Sequence, residues 1–208
     1  MSKKIKIGII DCNFGNIASL INSFKFLNFD FKVIEKKIIQ DDISHLILPG
    51  VGSFNKAAKT LKKIGFDDQI KEFTSKSKPF MGICLGMQLM FDSSTEDGKE
   101  YGLGLFQGEC NRFSDNLKVS LPHVGFNLVD NYKTKIWKGI PCKSPFYFVH
   151  SYRISINKKK SNQAKLSKTF YGEDFVSFIE RENIFGAQFH PEKSHKTGLN
   201  LLKNFAAI

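Results

Sequence analysis

Apolar positions in the first ninety residues form short unbroken runs, separated by stretches with helical spacing. Residues 5–10 read as a fully buried strand, with 11–15 as the loop at its carboxyl end. Ile17, Leu20, Ile21, Phe24 and Leu27 then recur at the spacing of one helix face. Residues 31–34 form a second apolar run and 45–48 a third, the latter closed by Pro49-Gly50-Val51-Gly52. Helical patterns follow through Ala57, Ala58 and Leu61 and through Ile70 and Phe73, before the strand-like run 80–83. Strands alternating with helices at these lengths predict right-handed βαβ units around a parallel sheet.

Beyond about residue 100 the pattern changes. Residues 124–129, 146–150, 153–156, 165–171, 175–180 and 185–189 are strand-like and joined by short polar connections, which predicts a mainly antiparallel extension of the same sheet. Leu199, Leu202 and Phe205 mark a closing helix. No Pro-, Gly- or Ser-rich linker, repeat or low-complexity stretch interrupts the chain, so residues 1–208 read as a single α/β domain. That domain is an open, mostly parallel sheet flanked by helices.

Composition narrows the function classes. At 208 residues, 41% hydrophobic and 25% charged, the chain is ordinary for a globular protein. A domain of this size buries about 70% of its unfolded surface. The 21 Phe are spread along the chain and read as core filling. The net charge of +11 raises the question of nucleic acid, but the lysines scatter over helix faces. The run Lys158-Lys159-Lys160 reads as a solvated loop, and no basic stripe carries interleaved aromatics. Four cysteines (Cys12, Cys84, Cys110 and Cys142) show neither paired nor metal-type spacing, which fits a reducing cytoplasm. No segment approaches the length of a membrane span.

The run 79–91 carries the candidate chemistry. An apolar strand ends in Gly82-Ile83-Cys84-Leu85-Gly86, and an amphipathic helical pattern begins at once. Strand, tight turn and helix with a reactive side chain at the apex is the layout of a nucleophile elbow. Glycine on either side lets the two backbones approach, and a helix N-terminus favours a thiolate. The competing reading is a buried structural cysteine.

A cysteine nucleophile needs a base and an orienting group. Of the five histidines, His45 opens a buried strand and His195 lies in a polar stretch. His190 begins His190-Pro191-Glu192 after an apolar strand. Proline holds the residue before it extended, and residues two apart in extended chain share a face. A carboxylate can thus fix the imidazole while the imidazole serves a thiol. A surface histidine beside an acid is the alternative, and no second ligand pair supports a metal. For an oxyanion, the N–H of Leu85 and a backbone N–H of Gly50-Val51-Gly52 lie at the same rim of the sheet.

These residues, taken together, resemble the class I (triad) glutamine amidotransferases, which have a flavodoxin-like core. Residues 82–88 and His190-Pro191-Glu192 carry that likeness. Within the family, further segments are similar to the glutaminase subunits of imidazole glycerol phosphate synthase. They are Gly15-Asn16, PGVGSF (49–54), GLGLF-x-G (102–108), PHVGFN (122–127), FVHSY (148–152) and QFHPEKS (188–194). The likeness runs from residue 5 to 205. It implies a catalytic triad of Cys84, His190 and Glu192, an oxyanion hole from Gly52 and Leu85, and glutamine held by Gln88, Ser151 and Tyr152. It also implies a heterodimer with a (β/α)8-barrel cyclase (HisF). That partner receives the ammonia to make imidazole glycerol phosphate and an aminoimidazole carboxamide ribonucleotide for histidine and purine synthesis. Asn16, Phe126, Tyr147 and Lys193 fall at the implied interface. No cofactor, metal, nucleic acid or membrane is implied, and the location is cytoplasmic.

Two departures stand at that interface. Cys12-Asn13-Phe14 replaces the usual start before the Gly-Asn pair, and Phe126 stands where Trp is usual. They leave open a paralogue that supplies ammonia to a sugar amidotransferase in surface-polysaccharide synthesis. A non-catalytic scaffold and a thiol peptidase or γ-glutamyl hydrolase are further alternatives.

Overall fold

A computed structural model describes residues 5–15, 17–35, 39–156 and 164–208. Asn16 and the run Lys158-Lys159-Lys160 lie outside the described residues. The early apolar runs become β1 (Lys6–Ile10), β2 (Asp30–Ile34), β3 (His45–Gly50) and β4 (Phe80–Cys84). The segments of helical spacing between them become α1 (Ala18–Phe26), α2 (Phe54–Ile64) and α3 (Phe66–Ser75). Lys62 and Lys63 sit in the last turn of α2, and Asp67 and Asp68 in the first turn of α3. Each set complements the helix dipole. Then come α4 (Leu85–Gln88), β5 (Ser93–Ser94), β6 (Glu100–Tyr101), β7 (Glu109–Arg112), β8 (His123–Val129), β9 (Ser144–His150) and β10 (Tyr152–Ser155). The chain closes with β11 (Lys165–Tyr171), β12 (Glu173–Arg181), β13 (Ile184–Ala187) and α5 (His195–Ala206).

The central sheet has seven strands in the order β11-β12-β13-β4-β3-β1-β2. β2, β1, β3, β4 and β13 are parallel, while β12 and β11 add an antiparallel edge. Alternation of side chains along β3 and β4 sends Leu46, Leu48 and Phe80 to the layer under α2 and α3. Ile47, Met81 and Ile83 go to the opposite layer with Phe185, Leu202 and Phe205. Burial on both faces accounts for the unbroken apolar runs. The largest fully buried side chains are all phenylalanines, which assigns these rings to the core.

Three expectations change. The strands near 124–129, 146–150 and 153–156 leave the central sheet. β8 and β9 form a two-stranded antiparallel ribbon, and β10 joins β7, β5 and β6 in a four-stranded sheet. β8 explains why, because its Val124, Phe126 and Leu128 are exposed while His123 and Val129 are buried. A strand buried on one face covers a core instead of bisecting it. The helix after the elbow is neither long nor amphipathic. α4 is one turn, tightened by the Met90 and Phe91 N–H bonds to Met87 and Gln88, and residues 85–91 are buried all round. In α5, Leu201 is buried beside Leu202 and Phe205, and Leu199 is only half-buried. Among the described residues no helix is long and apolar enough to cross a membrane.

Candidate active site

β4 ends at Cys84, whose backbone turns through φ 53°, ψ −110°. A residue with a β-carbon pays about 1–3 kcal/mol to sit in such a sparsely populated region. Close packing holds the turn in place. A β-carbon on Gly86 would lie 1.8 Å from the Leu48 carbonyl oxygen, and one on Gly82 would lie 2.4 Å from Met90 Sδ. Neither position has room for a side chain, so the Cys84 side chain is held at the end of the strand.

The neighbouring loops follow from sheet register. Gly50 pairs with Cys84 across the parallel ladder of β3 and β4, which carries Val51 and Gly52 alongside. The Val51 N–H donates to the Phe14 carbonyl at 2.9 Å, tying the loop after β1 to the same rim. A cavity of about 410 Å³ opens there, lined by Gly52, Cys84, Leu85, Gln88, Ser151 and Tyr152 among others.

Behind the cavity, the His190 N–H donates to the Tyr147 carbonyl at 2.8 Å. His190 Nδ1 lies 2.7 Å from Glu192 Oε1, with both side chains almost fully buried. His190 is extended, but Pro191 opens a 3-10 turn over Pro191–Lys193. The pair is thus closed by a turn and not by continuous extended chain. A carboxylate accepts only, so Nδ1 carries the proton and Nε2 is the other ring atom. Nε2 has no hydrogen-bond partner among the described residues. Burial opposes charging this ring, yet Cys84 and Glu192 outweigh it and raise the pKa to about 10.

Three contributors have no counterpart among the residues singled out from the sequence. Gln188 Nε2 donates to Cys84 Sγ at 3.7 Å. Gln88 Nε2 donates to Gln188 Oε1 at 3.1 Å and to the Tyr152 carbonyl at 3.2 Å. Gln188 was legible as a polar residue in an apolar strand, two before His190 and so on its face. Glu96 also lines the cavity, accepting the Phe54 N–H at 2.8 Å, and burial raises its pKa. His150 also lines the cavity. Away from the cavity, the half-exposed Phe126 ring meets Tyr147 edge-on at 5.6 Å and stacks on His195 at 5.3 Å. Lys193 Nζ stands 5.8 Å over Tyr147. Among the described residues no three His, Cys, Asp or Glu side chains are placed to hold a metal.

A strained cysteine at the carboxyl end of a parallel sheet, beside a buried imidazole–carboxylate pair, is the kind of arrangement that cysteine-dependent acyl transfer requires. Residues 8–208 match the model of the family "Glutamine amidotransferase class-I", and the chain belongs to that family of glutamine-hydrolysing enzymes. It is 42% identical over 207 residues to a Sulfurimonas denitrificans protein named imidazole glycerol phosphate synthase subunit HisH, covering 96% of each chain. A protein of the same name from Caldanaerobacter subterraneus is 43% identical over 203 residues, covering 97% of this chain and 98% of its own. Among solved structures, PurLQS from Thermotoga maritima superposes with a TM-score of 0.76 at 16% identity over 98% of both chains. That likeness shows the class I fold.

Proposed function

We propose that this chain, as one domain over residues 1–208, is the glutaminase subunit of an imidazole glycerol phosphate synthase. Its partner is a (β/α)8-barrel cyclase (HisF), and its location is cytoplasmic. The single observation that carries the chemistry is Cys84 at its strained apex beside the hydrogen-bonded His190–Glu192 pair. Cys84 Sγ attacks the side-chain amide carbon of glutamine, and the N–H groups of Leu85 and Gly52 stabilise the oxyanion. His190 Nε2, with the ring held by Glu192, takes the Cys84 thiol proton and gives it to the departing nitrogen, so that the C–N bond breaks, ammonia leaves and a thioester remains. His190 then takes a proton from water, whose attack releases glutamate and restores Cys84. Gln88, Ser151 and Tyr152 hold the glutamine. Glu96 offers a carboxylate to its ammonium, a role supported by its place in the cavity wall. Phe126, Tyr147 and Lys193, with Asn16 outside the described residues, meet the cyclase.

The full-length similarity to proteins named HisH supports the histidine-pathway acceptor, and nothing supports the sugar-amidotransferase paralogue. The test is glutamate release and imidazole glycerol phosphate formation by the chain mixed with a competent cyclase. Cys84→Ala is expected to lower glutamate release by about 10⁴-fold or more. Unchanged release would remove Cys84 as nucleophile, and glutamate without cyclase product would remove the acceptor.

A further inference from the structure

Three polar residues of the PHVGFN and FVHSY segments have no role in that scheme: His123, Asn127 and His150. His123 and His150 face each other across the β8–β9 ribbon, both almost fully buried. The His123 ring is stacked between Phe148 at 4.8 Å and Tyr171 at 3.9 Å. His150 Nδ1 lies 2.7 Å from the Tyr152 carbonyl, and His150 Nε2 lies 3.2 Å from His123 Nδ1. His123 Nε2 lies 3.4 Å from Asn127 Nδ2, which also donates to the Phe170 carbonyl at 2.9 Å.

Proton inventory gives this chain a direction. A carbonyl only accepts, so His150 Nδ1 carries the hydrogen. Burial holds both rings neutral, lowering the pKa of His123 to about 4 and of His150 to about 3. A neutral imidazole has one N–H, so His150 Nε2 accepts and His123 Nδ1 donates. His123 Nε2 must then accept, and Asn127 is oriented to donate. Its nitrogen is fixed by the Phe170 carbonyl, and its oxygen accepts the Leu128 N–H at 2.8 Å. The Tyr152 carbonyl at the inner end also receives Gln88, which leads through Gln188 to Cys84 Sγ. At the outer end Asn127 is half-buried, between the exposed Phe126 and Leu128.

We infer that this one-way chain makes His150 a positioning residue for the glutamine pocket. Backed by His123 and Asn127, it holds the Tyr152 carbonyl and through it Gln88, and it links the outer face of β8 to the nucleophile. The kinetic consequence rests on the glutaminase reading, whereas the tautomers do not. Imidazole ¹⁵N spectra of the full chain are expected to show the Nδ1–H tautomer at both His123 and His150. An Nε2–H form at either ring overturns the inference. His150→Phe keeps a buried ring and removes the donor to the Tyr152 carbonyl. With the cyclase present it is expected to raise the KM for glutamine about tenfold, with kcat changed less than about threefold. His123→Phe keeps the aromatic stack and removes only the donor behind His150, and its KM should rise by clearly less. Equal effects of the two variants, or no change in either, would reduce the chain to packing and overturn the inference. If the wild-type pair releases no glutamate at all, the glutaminase reading fails, and the ¹⁵N spectra still decide the direction of the chain.

Discussion

Two buried imidazoles flank the cavity, His190 behind the elbow and His150 in the ribbon wall, and their surroundings drive the two rings to opposite charge states. On the elbow side, His190 meets Cys84 and the Glu192 carboxylate, and its pKa rises to about 10 despite burial. On the ribbon wall, His150 meets a carbonyl and a second neutral imidazole, and burial lowers its pKa to about 3. Depth is the same, so the partner decides. A full negative charge beside a buried ring outweighs its desolvation, whereas a carbonyl dipole does not. One ring is thereby held charged and the other neutral.

The most severe way to break this contrast is Glu192→Gln, which keeps the shape and removes the charge. Glutamate release with the cyclase should fall by about 10²–10⁴-fold in kcat, the scale seen when a triad carboxylate loses its charge. A drop of less than about threefold would mean that Glu192 does not orient His190.

The walls also differ in what holds them. The elbow has no slack, so Gly86→Ala, driving a methyl into the Leu48 carbonyl, should cost about 3 kcal/mol or more by urea denaturation. Wild-type stability would leave the strained turn without its cause.

Acid should find the buried neutral histidines. His123, His150 and His45 all have folded pKa values depressed by burial, from 6.5 to about 4 or below. Between pH 6.5 and 4 the unfolded chain binds more protons than the folded one, so stability falls as pH falls. His190 has the opposite sign: its contribution is present below pH 6.5 and is lost as pH rises toward about 10. Urea midpoints measured from pH 4 to 10 should therefore decline on both flanks. His123→Phe, which keeps the aromatic stack, should soften only the acid flank.

The smallest effect sharpens the outer surface of the ribbon. Phe126→Ala, at a half-exposed ring, should change the stability of the chain by less than about 0.5 kcal/mol. Titration with the cyclase should nevertheless show weaker binding, and unchanged affinity would take Phe126 out of the interface.

Local pattern alone determined the parallel half of this protein. Runs buried on both faces have no other use than the middle of a covered sheet, and 3.6-residue spacing has no other use than a helix on its face. The residue types around Cys84 and His190 were legible for the same reason, because glycine, proline and a carboxylate two places on act through their immediate neighbours. Tertiary structure alone decided the rest. Whether 124–129 extends the sheet or covers it depends on which face of β8 finds a partner, a long-range matter invisible in its alternation. Gln188, Glu96 and His150 came to the site only when the residue after β13, the 94–97 segment and β9 were brought together around Cys84 and Gln88. Charge state is the clearest case: His190 and His150 are the same side chain in sequence. Only the folded neighbours, Cys84 and a carboxylate for one and a carbonyl for the other, set the charge each carries.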